Sequence, residues 1–261
     1  MAEDDNDPES REAEERRRSF EEGEAWLQRS LKESERDRML ALRRLVGFYR
    51  CHDRPERSEA YLDRLLATTA DPDQHAWDFL VLGQMMERSD EYGYAMDYYR
   101  RGLALGAGSE WTRYFLHNNL GYCLNHFGRH AEAEPLCRAA IAIDPEPFNA
   151  HENLGVSLEG QGCYAQAIPC YLRAARTSPQ DPRALGHLEA LIARHPELTV
   201  EWRELPAKVA ECRKLAEDAA RFERSRARQS GGSGHPGTAD SEGDAASVVP
   251  LPVGQRADDG E

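Results

Sequence analysis

The sequence predicts an all-α protein, a solenoid built from repeated pairs of antiparallel helices. The same pattern returns after 34 residues, and the apolar residues within each copy follow helical spacing. The stretches HNNLGYCLNHFG, at 117–128, and HENLGVSLEGQG, at 151–162, share His, Asn, Leu, Gly, Leu and Gly in the same order. A repeat of this length indicates stacked helix-turn-helix units, because one unit alone cannot bury its apolar face.

Small residues mark the second helix of each unit. Ala133, Ala140 and Pro145 are spaced seven and then five residues apart. The same spacing returns at Ala167, Ala174 and Pro179 and at Ala60, Ala67 and Pro72. Proline closes each unit because it cannot continue a helix interior. Small side chains at Gly121 and the alanines let helices approach closely, and a larger side chain there is expected to cost ~1–3 kcal/mol.

The spacings divide the chain into an array with flanking segments. Phe20, Leu27 and Leu31 give the charged helical stretch 9–50 a thin apolar face, which is expected to cap the array. Four extra residues between two copies are expected in a loop at GAGSE, 106–110. The predicted C-terminal cap carries the apolar stripe Leu205, Val209, Cys212, Ala216, Ala219 and Phe222. Four segments are predicted: an acidic tail and charged helix (1–39), the array (40–195), a capping helix (196–228) and a disordered acidic tail (229–261). Within the array, the predicted copies are a degenerate one at 40–73, clear ones at 76–109, 114–147 and 148–181, and a partial one at 182–195.

Composition narrows the function classes. The formal net charge is -14, which argues against nucleic acid and against an anionic membrane surface as partners. No apolar run reaches the ~18–20 residues that cross a bilayer, and the acidic N-terminus lacks the layout of a secretory signal. A cytoplasmic location is therefore predicted. The six cysteines include no CxxC pair and are expected to be free thiols.

The repeated residues resemble those of the tetratricopeptide-repeat family. Its 34-residue units carry an L-G pair, a mid-unit Gly, a Tyr, spaced alanines and a closing Pro, and residues 148–181 match best. The family's first-helix Trp is absent, and Phe79, His117 and His151 stand in its place. The resemblance, which extends to the superhelix of O-linked N-acetylglucosamine transferase, implies a right-handed solenoid that binds protein segments in a concave groove.

A polar and aromatic stripe beside the Leu-Gly positions is the candidate binding site, because by resemblance it lines that groove. Asn119, Asn153 and His187 lie 34 residues apart, each directly before a leucine. A carboxamide both donates and accepts, so a row of asparagines is suited to pairing with a peptide backbone. The alternative is that these asparagines are solvated or bond locally within their helix. The candidate peptide-binding residues are Trp77, Phe115, Asn118, Asn119, Tyr122, Asn149, Glu152, Asn153, Arg183 and His187.

Other site types are less well supported. Co-chaperones of the family clamp the C-termini of Hsp70 and Hsp90 with several cations, whereas Arg183 is the one dependable cation in the matching positions. Cys123, His126, His130 and Cys137 have a zinc-like spacing, but both cysteines fall on packing positions, so no metal or cofactor is expected. Phosphate-loop and nucleophile-elbow motifs are also absent.

These observations predict a non-catalytic adaptor that binds a partner's extended segment or helix. The alternative is a subunit of a larger assembly, a self-associating protein, or an accessory protein or chaperone of a modification or secretion enzyme.

Overall fold

A computed structural model describes residues 8–32 and 35–230, and within them the chain forms twelve helices and no strand. The helices are α1 (Pro8–Ser30), α2 (Glu35–Cys51), α3 (Pro55–Leu66), α4 (Pro72–Glu87), α5 (Tyr92–Ala104), α6 (Glu110–His126), α7 (His130–Ile143), α8 (Phe148–Gly160), α9 (Tyr164–Thr177), α10 (Arg183–Arg194), α11 (Glu197–Glu201) and α12 (Leu205–Ser230). The predicted disordered tail lies outside the described residues, except that its first two residues belong to α12.

Helix pairs build the first of two compact units, which ends at Cys170. Helix α2 packs on α3, α4 on α5 and α6 on α7, and successive pairs join through α5 with α6 and α7 with α8. The first helices α2, α4, α6 and α8 also contact one another in order, so they form one layer. The predicted all-α stacking of helix pairs is confirmed in this unit.

The repeated small and apolar positions form the core of the clear copies. Leu82, Leu120 and Leu154 are buried, as are Ala95 and Ala133. A Cβ added at Gly121 would lie 2.8 Å from Cys137 Sγ, so this glycine is required for the close approach of α6 and α7. The predicted reason for small residues at these positions is therefore correct.

The degenerate copy uses a different register from the predicted one. Ala60 and Ala67 are exposed, whereas Ser58, Leu62 and Leu65 are buried. Ser58 is small enough to approach α2, and its hydroxyl donates to the Val46 carbonyl at 2.9 Å. The alanine spacing predicted the wrong register because α3 packs against α2 through Ser58, two residues before Ala60.

Helix α1 covers the N-terminal end of the array. The charged stretch predicted at 9–50 is divided into α1 and α2. Leu27 is buried with Leu45 and Tyr49, and Phe20 stacks on Phe48 at a centroid distance of 4.9 Å. The thin apolar face therefore caps the array, as predicted.

The second unit begins at Tyr171 and has its own small core. Leu188, Leu191, Leu198 and Leu205 are buried, and α10 packs on α12. The capping stripe is buried at Val209 and Cys212 but ends before Phe222, which is 63% exposed. Helix α12 therefore packs within the second unit through its first half alone. No helix within the described ranges combines the length and apolar character needed to cross a bilayer.

Candidate functional site

The structure divides the predicted site residues by burial. In the first unit, Trp77, Phe115, Tyr122 and Asn149 are half-buried, and Asn118, Asn119, Glu152 and Asn153 are buried. In the second unit, Arg183 is half-buried and paired with Asp181 at 2.9 Å, and His187 is exposed beside Tyr171. The continuation of the asparagine column to His187 stays a prediction.

A tryptophan face lies where α4 meets the start of α6, and it consists of Trp77, Trp111 and Phe115. The ring centroids of Trp77 and Trp111 are 5.3 Å apart, and those of Trp111 and Phe115 are 4.4 Å apart. Trp111 remains 41% exposed although two aromatic rings support it. This residue was missed because it precedes the 114–147 repeat, although its i, i+4 spacing to Phe115 was a usable signal.

The loop before α6 positions Trp111. Gly106 and Gly108 adopt positive φ values of 61° and 101°, which ends α5 and turns the chain into α6 at the predicted loop. The Ser109 hydroxyl then accepts from the Thr112 amide at 3.1 Å as an N-cap. The Asp73 carboxylate accepts from the Gly108 amide at 2.7 Å, so the loop is held on α4.

A second aromatic group, Tyr92, Tyr122, His126 and Phe127, lies at the other end of α6. Tyr92 stacks on His126 at 4.1 Å and lies 6.2 Å from Tyr122, as measured between ring centroids. Phe127 is 50% exposed. Burial, followed by the neighbouring Tyr92, raises the pKa of Tyr122, so this phenol stays neutral. We call the line Trp111, Phe115, Tyr122 and His126 the α6 stripe, which spans roughly 22 Å at ~1.5 Å per residue.

The asparagines bond to one another between repeats. Asn153 Nδ2 donates to Asn118 Oδ1 at 3.0 Å, and Asn118 Nδ2 donates to Asn119 Oδ1 at 3.0 Å. Asn119 Nδ2 then donates to the Tyr99 hydroxyl at 3.4 Å, so the chain of amides joins α8, α6 and α5. Asn119 is 6% exposed and Asn153 is 9% exposed. Peptide contact by these amides stays a prediction.

Asn125, near the end of α6, makes further hydrogen bonds between α6 and α8. The sequence did not predict this role. Asn125 Nδ2 donates to the Asn153 carbonyl at 2.8 Å, while its Oδ1 accepts from the Ser157 hydroxyl at 2.9 Å. His130 Nδ1 lies 3.1 Å from the same Oδ1. Buried polar groups are normally satisfied in this way, since an unpaired one is costly.

We expect the double variant Asn119→Ala with Asn153→Ala to lower the free energy of unfolding by ~2 kcal/mol, because it leaves Asn118 buried without its two amide partners. Denaturant unfolding measures the change. The matched control is Asn149→Ala, a half-exposed asparagine of α8, for which a change below ~0.5 kcal/mol is expected. Equal effects would show that the amide chain does not stabilise the array.

The cysteines considered for zinc are packing residues. Cys123 and Cys137 are buried, and burial raises the pKa of both thiols, that of Cys137 to about 12. The Cys123 thiol donates to Glu87 Oε1 at 3.2 Å. Within the part of the chain that the structure describes, no three His, Cys, Asp or Glu side chains are grouped to hold a metal ion.

The layer of first helices, next to helices packed through repeated small residues, is the architecture of a helical-repeat protein. The sequence pattern of the tetratricopeptide repeat matches residues 116–146, which include most of α6 and all of α7. This segment of the chain is similar to one tetratricopeptide repeat.

Known proteins resemble parts of the chain. A peroxisomal targeting signal receptor of Kluyveromyces lactis is 30% identical over 95 residues, which are 36% of this chain and 16% of the receptor. Residues from position 41 to the end of MamA from Desulfovibrio magneticus RS-1 superpose with a TM-score of 0.49 and 20% identity, over 68% of this chain and 96% of that one. YrrB, described as a TPR protein with an unusual peptide-binding site, superposes with a TM-score of 0.48 and 18% identity, over 75% of this chain and 97% of that one.

Proposed function

We propose that the chain binds an extended segment or a helix of a partner protein along the α6 stripe. The observation that carries the proposal is the line of aromatic side chains on the first-helix layer, with Trp111 41% exposed at one end. Phe127, 50% exposed, adjoins the other end. Partly exposed aromatic rings of this kind are the usual anchors of protein interfaces.

The dimensions of the α6 stripe suit a short segment. A length of roughly 22 Å corresponds to about seven residues of extended chain or to about four turns of a helix. Trp77 and Phe115 hold the Trp111 ring in place, so binding would order few additional side chains. Affinities near micromolar, about -8 kcal/mol, are expected for such a segment.

The buried amides support this surface from beneath. The hydrogen bonds from Asn153 through Asn118 to Asn119 hold α6 and α8 side by side. In the proposal these asparagines keep the α6 stripe in position. We propose separately that Asn119 and Asn153 form hydrogen bonds with the peptide backbone.

Peptides selected from a displayed random library on the wild-type chain provide the probe. We expect Trp111→Ala to weaken their binding at least ~10-fold, because truncating an aromatic anchor typically removes more than ~1.4 kcal/mol. The control is Phe222→Ala, an aromatic residue of α12 that is 63% exposed and lies outside the α6 stripe. Binding is measured by titration with labelled peptide.

The outcomes separate the alternatives. Peptide binding that is weakened by Trp111→Ala and unchanged by Phe222→Ala supports binding at the α6 stripe. Unchanged binding with Trp111→Ala contradicts it, and loss with Phe222→Ala instead favours the alternative of an assembly subunit that makes contact through its caps. If binding survives Asn119→Ala with Asn153→Ala in a folded protein, the asparagines do not read the peptide backbone.

A further inference from the structure

A carboxyl group is buried where α4, α5 and α6 meet. Glu87, in the last turn of α4, is 3% exposed. Its Oε1 accepts from the Cys123 thiol of α6, and the Tyr99 hydroxyl of α5 interacts with the same carboxyl. In the described part of the chain, its Oε2 has no hydrogen-bond partner. One oxygen of this group is therefore deprived of both water and a donor.

The chain of amide hydrogen bonds ends at this carboxyl. Asn153 donates to Asn118, Asn118 to Asn119, and Asn119 to the Tyr99 hydroxyl, which faces Glu87. All three amides donate in the same direction, toward the carboxyl. Aligned hydrogen bonds polarise one another, so the charge on Glu87 is coupled to contacts made two helices away.

Burial and local donors oppose each other at Glu87. Burial raises the pKa of Glu87 to about 7, while hydrogen bonds from Cys123 and Tyr99 and the nearby Arg88 charge act to lower it. Burial also raises the pKa of the titratable groups that α5 and α6 turn toward it, which keeps them neutral when Glu87 ionises. These groups are Tyr92, Tyr99, Tyr122 and Cys123. Cys51, at the end of α2, faces Ser89 and Glu91 instead, and burial raises the pKa of its thiol.

We propose that Glu87 is a proton-uptake site, which makes the stability of the junction between α4, α5 and α6 respond to pH in the neutral range. The proposal is independent of any partner.

The direction of the response follows from proton linkage. A glutamate in the unfolded chain releases its proton near its ordinary pKa of 4.5, whereas Glu87 in the folded chain keeps it up to about 7. The folded state therefore binds more protons between these values, and its stability falls as pH rises through this window. Above the window the loss of stability is constant, and it amounts to at most a roughly 300-fold change in the unfolding equilibrium.

Glu87→Gln tests the proposal through denaturant unfolding of the full chain at about pH 5.5 and about pH 8. We expect the wild-type midpoint to be lower at the higher pH and the Glu87→Gln midpoint to differ little between them. The control Glu159→Gln changes the matching repeat position of α8, which is partly exposed, and should behave like the wild type. A Glu87→Gln protein that keeps the wild-type pH difference would overturn the proposal.

Carbon-13 NMR of glutamate side-chain carboxyls measures the titration of Glu87 in the wild-type chain directly. It therefore tests the proposal even if the Glu87→Gln variant does not fold. We expect one glutamate resonance to titrate near neutral pH and to be missing from Glu87→Gln. Midpoints below about pH 5.5 for every glutamate would refute the proposal, since the ordinary glutamate pKa is 4.5.

Discussion

The variant Arg43→Ala is expected to lower the free energy of unfolding by ~3 kcal/mol, because it leaves a buried carboxylate without its counter-charge. The Asp78 side chain on α4 is fully buried, and Arg43 on α2 donates to its Oδ1 through Nε at 2.8 Å and Nη2 at 2.5 Å. Gln74 Nε2 adds a donor at 3.1 Å. This ion pair joins the degenerate copy to the first clear one.

The loss should depend on pH. Burial raises the pKa of Asp78, and the Arg43 guanidinium opposes that rise. Without Arg43 the carboxyl pKa rises further, so the variant is least stable relative to wild type at alkaline pH and recovers as acid protonates Asp78. Denaturant unfolding at several pH values measures this.

An exposed ion pair serves as the control. Arg18 lies 2.9 Å from Glu22 on α1, with side chains 80% and 67% exposed. Solvent screens such a pair, so Arg18→Ala should cost less than ~0.5 kcal/mol. If the two arginine variants lost the same stability, the buried pair would have no special role.

Gly83→Ala is expected to cost ~2 kcal/mol although it adds a single methyl group to a helix. Its Cβ would lie 2.6 Å from Tyr99 Cδ1 and Tyr99 Cζ, inside van der Waals contact. The ring cannot move away freely, since Tyr99 is fully buried and its hydroxyl accepts from Asn119. Thermal or denaturant unfolding measures the loss.

The same substitution at Gly93 is the matched control. Gly93 lies in α5, and a Cβ there meets nothing within 4 Å. Because alanine is the better helix former, Gly93→Ala should stabilise the chain by ~0.5–1 kcal/mol. The prediction for Gly83 fails if both variants change stability in the same direction.

Much of the fold was predictable from the sequence because it depends on periodic, local features. The Leu-Gly pairs predicted the close approach of helices at Gly121, and the loop expected at 106–110 is found at 105–109. The register of the degenerate copy was not predictable from alanine spacing. Ser58 occupies the small-residue position there, and because serine and alanine are both small enough for that position, the sequence pattern does not distinguish them.

The candidate site was less predictable, because burial depends on neighbouring helices. Trp111 lies in the first turn of α6, ahead of residue 114 where the predicted copy begins, so a search confined to the 34-residue register passes over it. Asn153 donates to a residue 35 positions away, and nothing in its local sequence indicates that partner.

The sequence by itself determined that this chain stacks helix pairs, since repeat length, small-residue spacing and closing prolines are recorded in the order of residues. It also indicated which stripe of each first helix lies beside the core. Only the tertiary structure decided what that stripe presents. Stacking turned Asn119 and Asn153 inward toward Asn118 and left Trp111 exposed, because the contacts that bury or expose a side chain come from helices of other repeats.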